Sequence, residues 1–241
     1  MHNNSYKRLR SNSYSVPCEL CSIGSLCIPM IQDCTLGNLL NQKKALAKNE
    51  IAVKAGDPFN KLYVIHSGCL KSYVITNNGT QQITGFYLPG DILGYEAICE
   101  NKYHNYIEAL THTLVCEVKY DRLIAFGNES ASIREHNIRL MSNEILNQQR
   151  LIMIFAQKNA EERLATFVYS MYRRYAQRGH TSLNIKLAMS RADIANHLGL
   201  TIETVSRIFT RLQQAEILMV KGKYILIKNL SELIKAAGES E

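Results

Sequence analysis

Residues 190–213, Ser-Arg-Ala-Asp-Ile-Ala-Asn-His-Leu-Gly-Leu-Thr-Ile-Glu-Thr-Val-Ser-Arg-Ile-Phe-Thr-Arg-Leu-Gln, constrain the fold more than any other stretch of the chain. They read as two helices joined by a tight turn at Gly199. Ile194, Ala195 and Leu198 give the first helix an apolar face, and Leu200, Val205, Ile208 and Leu212 give the second a matching one. The small Ala195 permits close helix approach, and Gly199 supplies the positive φ that the turn requires. Packing these faces together leaves Thr201, Glu203, Thr204, Ser206, Arg207 and Arg211 on the outer side. Glu203, Ser206 and Arg207 fall at i, i+3 and i+4, so they project side by side. In a DNA major groove Arg pairs with guanine and Glu accepts from cytosine. These three are the candidate DNA-reading residues of a helix-turn-helix.

Charge agrees with this reading. The chain carries 28 Lys and Arg against 21 Asp and Glu, a net +7. Eleven basic residues and three acids lie between Arg163 and Lys228, so the positive excess sits in this segment. Such clustering is the electrostatic footprint of phosphate binding. Met219 to Ile227 reads as a hairpin turning at Lys221-Gly222-Lys223, the wing of a winged helix. A duplex promoter is the predicted partner.

A length of 241 residues allows one or two domains. The first sixteen residues are polar and basic, unlike a signal peptide, and no apolar run is long enough to span a bilayer. The expected location is the cytoplasm, with no membrane partner. Thiols stay reduced there, so the seven cysteines read as ligands or core residues rather than disulfides. From Ile51 to Tyr120 short β-type runs alternate with glycine turns. Asn77-Asn-Gly-Thr80 is a strong hairpin signal between Lys71–Ile75 and Gln82–Phe86. The pattern predicts a small antiparallel barrel or jelly roll. Helix periodicity runs from about Ala131 to Lys158. Within it Ile138, Met141, Ile145, Gln148, Ile152 and Phe155 follow alternating three- and four-residue steps, a coiled-coil seam. Leu140, Leu151 and Ile154 lie off the seam and suit packing on the barrel. Two-fold DNA sites call for two-fold proteins, so the seam predicts a homodimer. The chain thus reads as α+β, divided into a cysteine-rich segment (1–34), a β-barrel (35–124), a dimerisation helix (125–158) and a winged helix-turn-helix (159–241). No catalytic acid–base or nucleophile constellation stands out, so an enzyme is not expected.

Cys18, Cys21 and Cys27 lie in a segment without helical or strand period, which can fold around a metal. Thiolates select zinc or iron–sulfur clusters. A zinc site needs a nearby fourth ligand, and Cys34 is available. A cluster can recruit a distant one, Cys116, although Leu114, Cys116 and Val118 also alternate like ordinary core residues of one strand face. Cys69 and Cys99 read as plain core cysteines.

The triplet ending Leu-Cys-Ile-Pro29, together with Gln82-Ile-Thr-Gly-Phe86 and Leu-Val-Cys-Glu-Val118, resembles the fumarate and nitrate reduction regulators, oxygen sensors of the cyclic-AMP receptor protein superfamily. Lys-Asn-Ala-Glu-Glu-Arg-Leu-Ala165, the second helix and Val-Lys-Gly-Lys-Tyr224 extend the resemblance from about Pro17 to Leu233. It implies a cyclic-nucleotide-binding-like barrel, a long dimerisation helix and a C-terminal winged helix-turn-helix. It also implies a 4Fe-4S cluster on Cys18, Cys21, Cys27 and Cys116, which demotes Cys34. Oxygen would convert the cluster to a smaller form, with loss of dimer and DNA binding. Glu203, Ser206 and Arg207 match the family's Glu-x-x-Ser-Arg triplet, which implies inverted TTGAT-type half-sites, and RNA polymerase is the implied partner. One residue departs from the pattern. Family seams carry an acidic residue mid-helix, and the matching position here is Gln148. A neutral amide lacks repulsion across the two-fold, so a tighter dimer and a less complete switch are expected.

Three rivals share parts of this pattern. Gly90-Asp91-Ile-Leu-Gly94 resembles a cyclic-nucleotide phosphate loop, but no Arg lies between Gly90 and Asp121 to meet a phosphate. A haem sensor would use His66 or His104 and leave the cysteines unexplained. An iron–sulfur electron carrier leaves the basic helix-turn-helix without a purpose.

Overall fold

The computed structural model describes Ser15, Cys21 and residues 43–239. Eight strands form the barrel: β1 (Lys43–Leu46), β2 (Ile51–Val53), β3 (Lys61–Ser67), β4 (Leu70–Ile75), β5 (Gln81–Tyr87), β6 (Ile92–Leu93), β7 (Tyr106–Ala109) and β8 (Thr113–Lys119). They pair antiparallel in two four-stranded sheets, β1-β8-β3-β6 and β2-β7-β4-β5. This is the expected jelly roll. Strand alternation sorts side chains to two sides. Tyr63, Ile65 and Val115 join Leu46, Val53, Leu70 and Ile107 between the sheets. Leu62, Val64 and Val118 instead form an outer cluster with Leu123. Each such apolar side chain, once buried, stabilises the fold by roughly 1.5–3 kcal/mol.

The predicted hairpin is present. Ile75 pairs with Gln81, Thr76 N donates to Thr80 O at 2.9 Å, and Gly79 takes φ +79°. Gly68 ends β3 with φ +93° under tighter constraint. A Cβ there would lie 2.4 Å from Thr113 Oγ1 and 2.6 Å from His112 O, so any side chain would push β8 away.

Two helices leave the barrel: α1 (Tyr120–Glu129) and α2 (Ala131–Gln157). Arg134 Nη1 donates to Gly127 O (2.8 Å), which fixes the bend between them. The next helix, α3 (Ala160–Ala176), starts with a reciprocal capping box. Asn159 accepts from the Glu161 and Glu162 amides, and Glu162 accepts from Asn159 N. A cap of this type contributes about 1 kcal/mol.

The remaining elements are β9 (Asn184–Lys186), α4 (Arg191–Leu198), α5 (Ile202–Gln214), β10 (Leu218–Lys221), β11 (Tyr224–Ile227) and α6 (Leu230–Ala236). The three strands pair in the order β10-β11-β9. Leu164, Val168, Ile194, Val205, Ile208, Phe209 and Leu212 are buried together, and Cys69, Ile83, Phe86 and Leu88 of the barrel belong to the same cluster. The C-terminal module therefore sits directly on the barrel. Polar bonds fix the register. Asn196 of α4 donates to Gln81 O (2.7 Å) and accepts from Ile83 N (2.6 Å), while Gln82 donates to Asn196 O (2.9 Å). β5 is an edge strand, and this side chain satisfies its open edge as a neighbouring strand would.

Candidate DNA interface and cysteine site

Ser190 opens α4 by accepting from Asp193 N, while the Asp193 carboxylate accepts from Ser190 N at 2.8 Å. Gly199 ends the helix with φ +64°, the left-handed geometry expected of it. Thr201 then caps α5 by accepting from Thr204 N. Ile194, Ala195, Leu198, Val205, Ile208 and Leu212 are buried as expected, and Phe209 joins them. Glu203, Ser206 and Arg207 stand exposed on the outer face. Hydrogen bonds to its own backbone amide and to Thr201, with Arg207 nearby, hold the Glu203 carboxyl below the usual range, so it is an acceptor at neutral pH. Beside α5, β10 and β11 form the hairpin predicted as a wing, with Lys221 opposite Tyr224 and Gly222 at φ +60°.

The basic cluster is less uniform than its count implies. Arg174 and Arg178 both bind the Asp91 carboxylate on the barrel, and Arg174 also donates to Phe86 O at 2.8 Å. Arg163 serves backbone carbonyls at the α2–α3 junction. Arg191 lies 3.7 Å above the Phe209 ring. Lys228 and Arg211 pair with Glu216 and Glu161. Arg173 and Lys186 lie over the Tyr169 and Tyr224 rings and Lys223 donates to Ala188 O, while Arg207 and Lys221 stand exposed. This division is invisible to composition, because internal and external arginines count alike.

Asp91 also bears on the loop Gly90–Gly94. Its carboxylate accepts from Leu88 N (2.7 Å), from Arg174 of α3 and from Arg178 just beyond the end of that helix. The cations this loop attracts come from another module and meet an internal carboxylate, where a nucleotide receptor would offer them to a phosphate.

Among the cysteines, Cys21 and Cys116 come from distant parts of the chain and pack against one cluster, Leu62, Val64, Val118 and Leu123. Cys116 faces outward on β8, opposite Lys43 on one side and Val64 on the other. Ile133 and Leu140 of α2 touch the same cluster. Cys18, Cys27 and Cys34 lie outside the described residues. Cys69 is buried and its thiol is pushed up to about 12, chiefly by burial, which leaves it inert. Cys99 departs from expectation. It is exposed in the turn after the short 3-10 helix Tyr95–Ala97, where chain reversal leaves no layer to cover it. Of the candidate haem ligands, His104 is exposed with Nε2 3.7 Å from the Glu100 carboxylate, and His66 is partly covered near Lys43.

No residue of α2 is fully buried. Ile138, Ile145 and Ile152, seven residues apart, are 59%, 60% and 65% exposed, which forms a continuous apolar ridge. Met141 and Phe155 are half-buried, and Gln148 is exposed between them. The adjacent stripe faces the barrel, where Asn137 accepts from the Tyr95 hydroxyl (2.9 Å) and Leu140 packs as expected.

A barrel bearing a long helix and a winged helix-turn-helix defines a transcription regulator. Residues 43–130 match the cyclic nucleotide-binding domain family, and residues 162–236 match the Crp-like helix-turn-helix domain. The chain is 43% identical over 236 residues to the fumarate and nitrate reduction regulatory protein of Yersinia pestis, covering 96% of this chain and 94% of that one. The protein of the same name from Escherichia coli is 42% identical over 238 residues, 97% of this chain and 95% of its own length. The structure of FixK2 from Bradyrhizobium japonicum superposes with a TM-score of 0.75 at 29% identity, over 83% of this chain and 98% of that one. The chain belongs to the fumarate and nitrate reduction regulators of the Crp/Fnr family. It is a regulator, not an enzyme. Among the described residues no helix is long and apolar enough to cross a membrane.

Proposed function

We propose that this regulator senses oxygen through a 4Fe-4S cluster held by Cys18, Cys21, Cys27 and Cys116. In its cluster-loaded form it binds paired TTGAT-type half-sites as a homodimer and activates or represses transcription. The common placement of Cys21 and Cys116 against one apolar cluster carries this reading. It gives two of the four thiolates a shared location, and thiolates suit such a cluster. When bound, the group supplies an oxidisable tie between the N-terminal segment and β8.

The chain's own residues supply the coupling. Cys21, Cys116, Ile133 and Leu140 share the cluster formed by Leu62, Val64, Val118 and Leu123. A change in how the N-terminal segment sits is therefore felt on the inner stripe of α2. The outer stripe, Ile138, Met141, Ile145, Gln148, Ile152 and Phe155, is the proposed dimer seam. A differential of about 5.5 kcal/mol moves a two-state equilibrium from 1:99 to 99:1. On α5, Glu203, Ser206 and Arg207 are the proposed base-reading residues. The proposed division is 1–34, 35–124, 125–158 and 159–241, on the changes of pattern along the chain; the cytoplasm is the proposed location, and RNA polymerase is the partner that family resemblance implies.

The test is protein purified without air, followed by absorption spectroscopy and sedimentation during exposure to air. A visible thiolate-to-iron band that bleaches while dimer and TTGAT affinity fall supports the proposal. Colourless protein with stoichiometric zinc and air-independent DNA binding would overturn it.

A further inference from the structure

Three backbone carbonyls, two at the junction between α2 and α3 and one at the end of α4, are met by one side chain. At the end of α2, Asn159 N would ordinarily bond to Phe155 O, but it donates instead to Glu162 (2.8 Å) in the capping box. Phe155 O is thereby released, and Lys158 O has left the helix. The third is Leu198 O, the last carbonyl of α4 before the Gly199 turn. One side chain serves all three. Arg163 Nη2 donates to Phe155 O (2.9 Å), Nε to Lys158 O (2.9 Å), and Nη1 makes a longer bond to Leu198 O (3.4 Å). Its guanidinium also lies 5.5 Å from the Phe155 ring centroid. Both helices direct the negative ends of their dipoles at this cation, and the planar fork places donors on three separate nitrogens, so it spans acceptors that a single ammonium nitrogen would have to meet from one point.

The three acceptors lie at functionally different places. Phe155 closes the proposed dimer seam, Lys158 is the hinge, and Leu198 precedes the turn into the reading helix. Lys158 reinforces the joint from the other side, donating to Thr166 Oγ1 (2.8 Å) and Ala237 O (2.7 Å). We infer that Arg163 is a positioning residue for paired-site recognition: it fixes α5 relative to the dimer axis and so sets the half-site separation the protein accepts. The inference rests on the proposal that the chain reads two half-sites as a dimer. Arg163 faces no base in this role. It supplies the geometry that lets the second half-site be engaged at high effective concentration, an advantage lost when geometry forbids simultaneous contact.

The experiment uses full-length protein prepared without oxygen, with duplexes carrying one TTGAT-type half-site or two at graded spacings. The variants are Arg163→Gln and, as a milder change that keeps the charge, Arg163→Lys. Wild-type protein is expected to favour one spacing strongly. Arg163→Gln should lose roughly 10–100-fold on that duplex, flatten the spacing profile, and leave single half-site affinity and the dimer constant unchanged, with Arg163→Lys between. A retained spacing profile in both variants overturns the inference. So does an equal loss on one and two half-sites, which marks a merely structural residue. Should Arg163→Gln not fold, the spacing profile of Arg163→Lys decides alone. Wild-type protein that binds one half-site as tightly as two overturns the dimeric reading itself, and this inference with it.

Discussion

The Gln148 amide donates to the Glu144 carboxylate one turn back along α2, at 2.8 Å. Burial, opposed mainly by this bond, pushes the Glu144 carboxyl above its usual range. The amide thus supports a partly buried carboxyl group and keeps a second donor and its carbonyl for other partners. Gln148→Asp removes that support and adds charge both beside Glu144 and across the two-fold. The intrahelical part amounts to about 0.2–0.5 kcal/mol. The intermolecular part should weaken the cluster-free dimer by roughly 1 kcal/mol or more at low salt, less as salt rises. Analytical ultracentrifugation with and without the substitution measures this. A dimer constant that does not move places Gln148 outside the seam.

Arg207 stands exposed one turn after Glu203 on α5. Arg207→Ala should cost roughly 1–3 kcal/mol on a TTGAT-type duplex and leave random DNA almost unaffected. Titrations at one fixed salt concentration compare the two. Equal losses on both would mean that Arg207 touches only phosphate.

Single Cys→Ala changes at all seven cysteines make a third test, read as iron bound per chain without oxygen. Cys18, Cys21, Cys27 and Cys116 should each be required, with at least tenfold weaker loading when a thiolate is lost. Cys34, Cys69 and Cys99 should be dispensable. Iron lost with Cys34→Ala but kept with Cys116→Ala would restore the local site.

His197 sits between Phe86 and Phe167, with ring centroids 5.0 and 6.1 Å away, and its Nδ1 donates to Ile83 O at 3.3 Å. Burial holds its pKa below the usual 6.5, opposed by the Ile83 bond and reinforced by Arg174. A depressed histidine contributes stability that is complete above the unfolded pKa and declines as pH falls below it. Wild-type melting temperature should therefore drop more between pH 7 and about 5 than that of His197→Gln. Parallel pH profiles in the two proteins would remove His197 from the acid response.

Local rules made much of this fold legible. The hairpin at Asn77–Thr80, the Gly199 turn and the buried face of α4 and α5 depend on nearby residues alone, so spacing sufficed. The α2 pattern was equally readable, because exposure at Ile138, Ile145 and Ile152 follows one heptad. The links of Asp91 to Arg174 and Arg178, of Asn196 to β5 and of Arg163 to Leu198 were not. Each joins residues far apart in sequence whose types suit a surface equally well. Cys99 shows the converse: an apolar residue type that stands exposed in a turn among the described residues.

Asn196 guards β5 from a long way down the chain, 113 residues beyond Ile83. The barrel is complete at Lys119, and the ribosome adds about 5–20 residues per second, so the finished barrel waits roughly 4–15 s for Asn196 with this edge bare. During synthesis β5 can pair with any extended neighbour, including the same strand of another nascent chain. The last module made is also the barrel's protective cover. Truncation after the last barrel strand but before α4 should yield a barrel with β5 uncovered that aggregates.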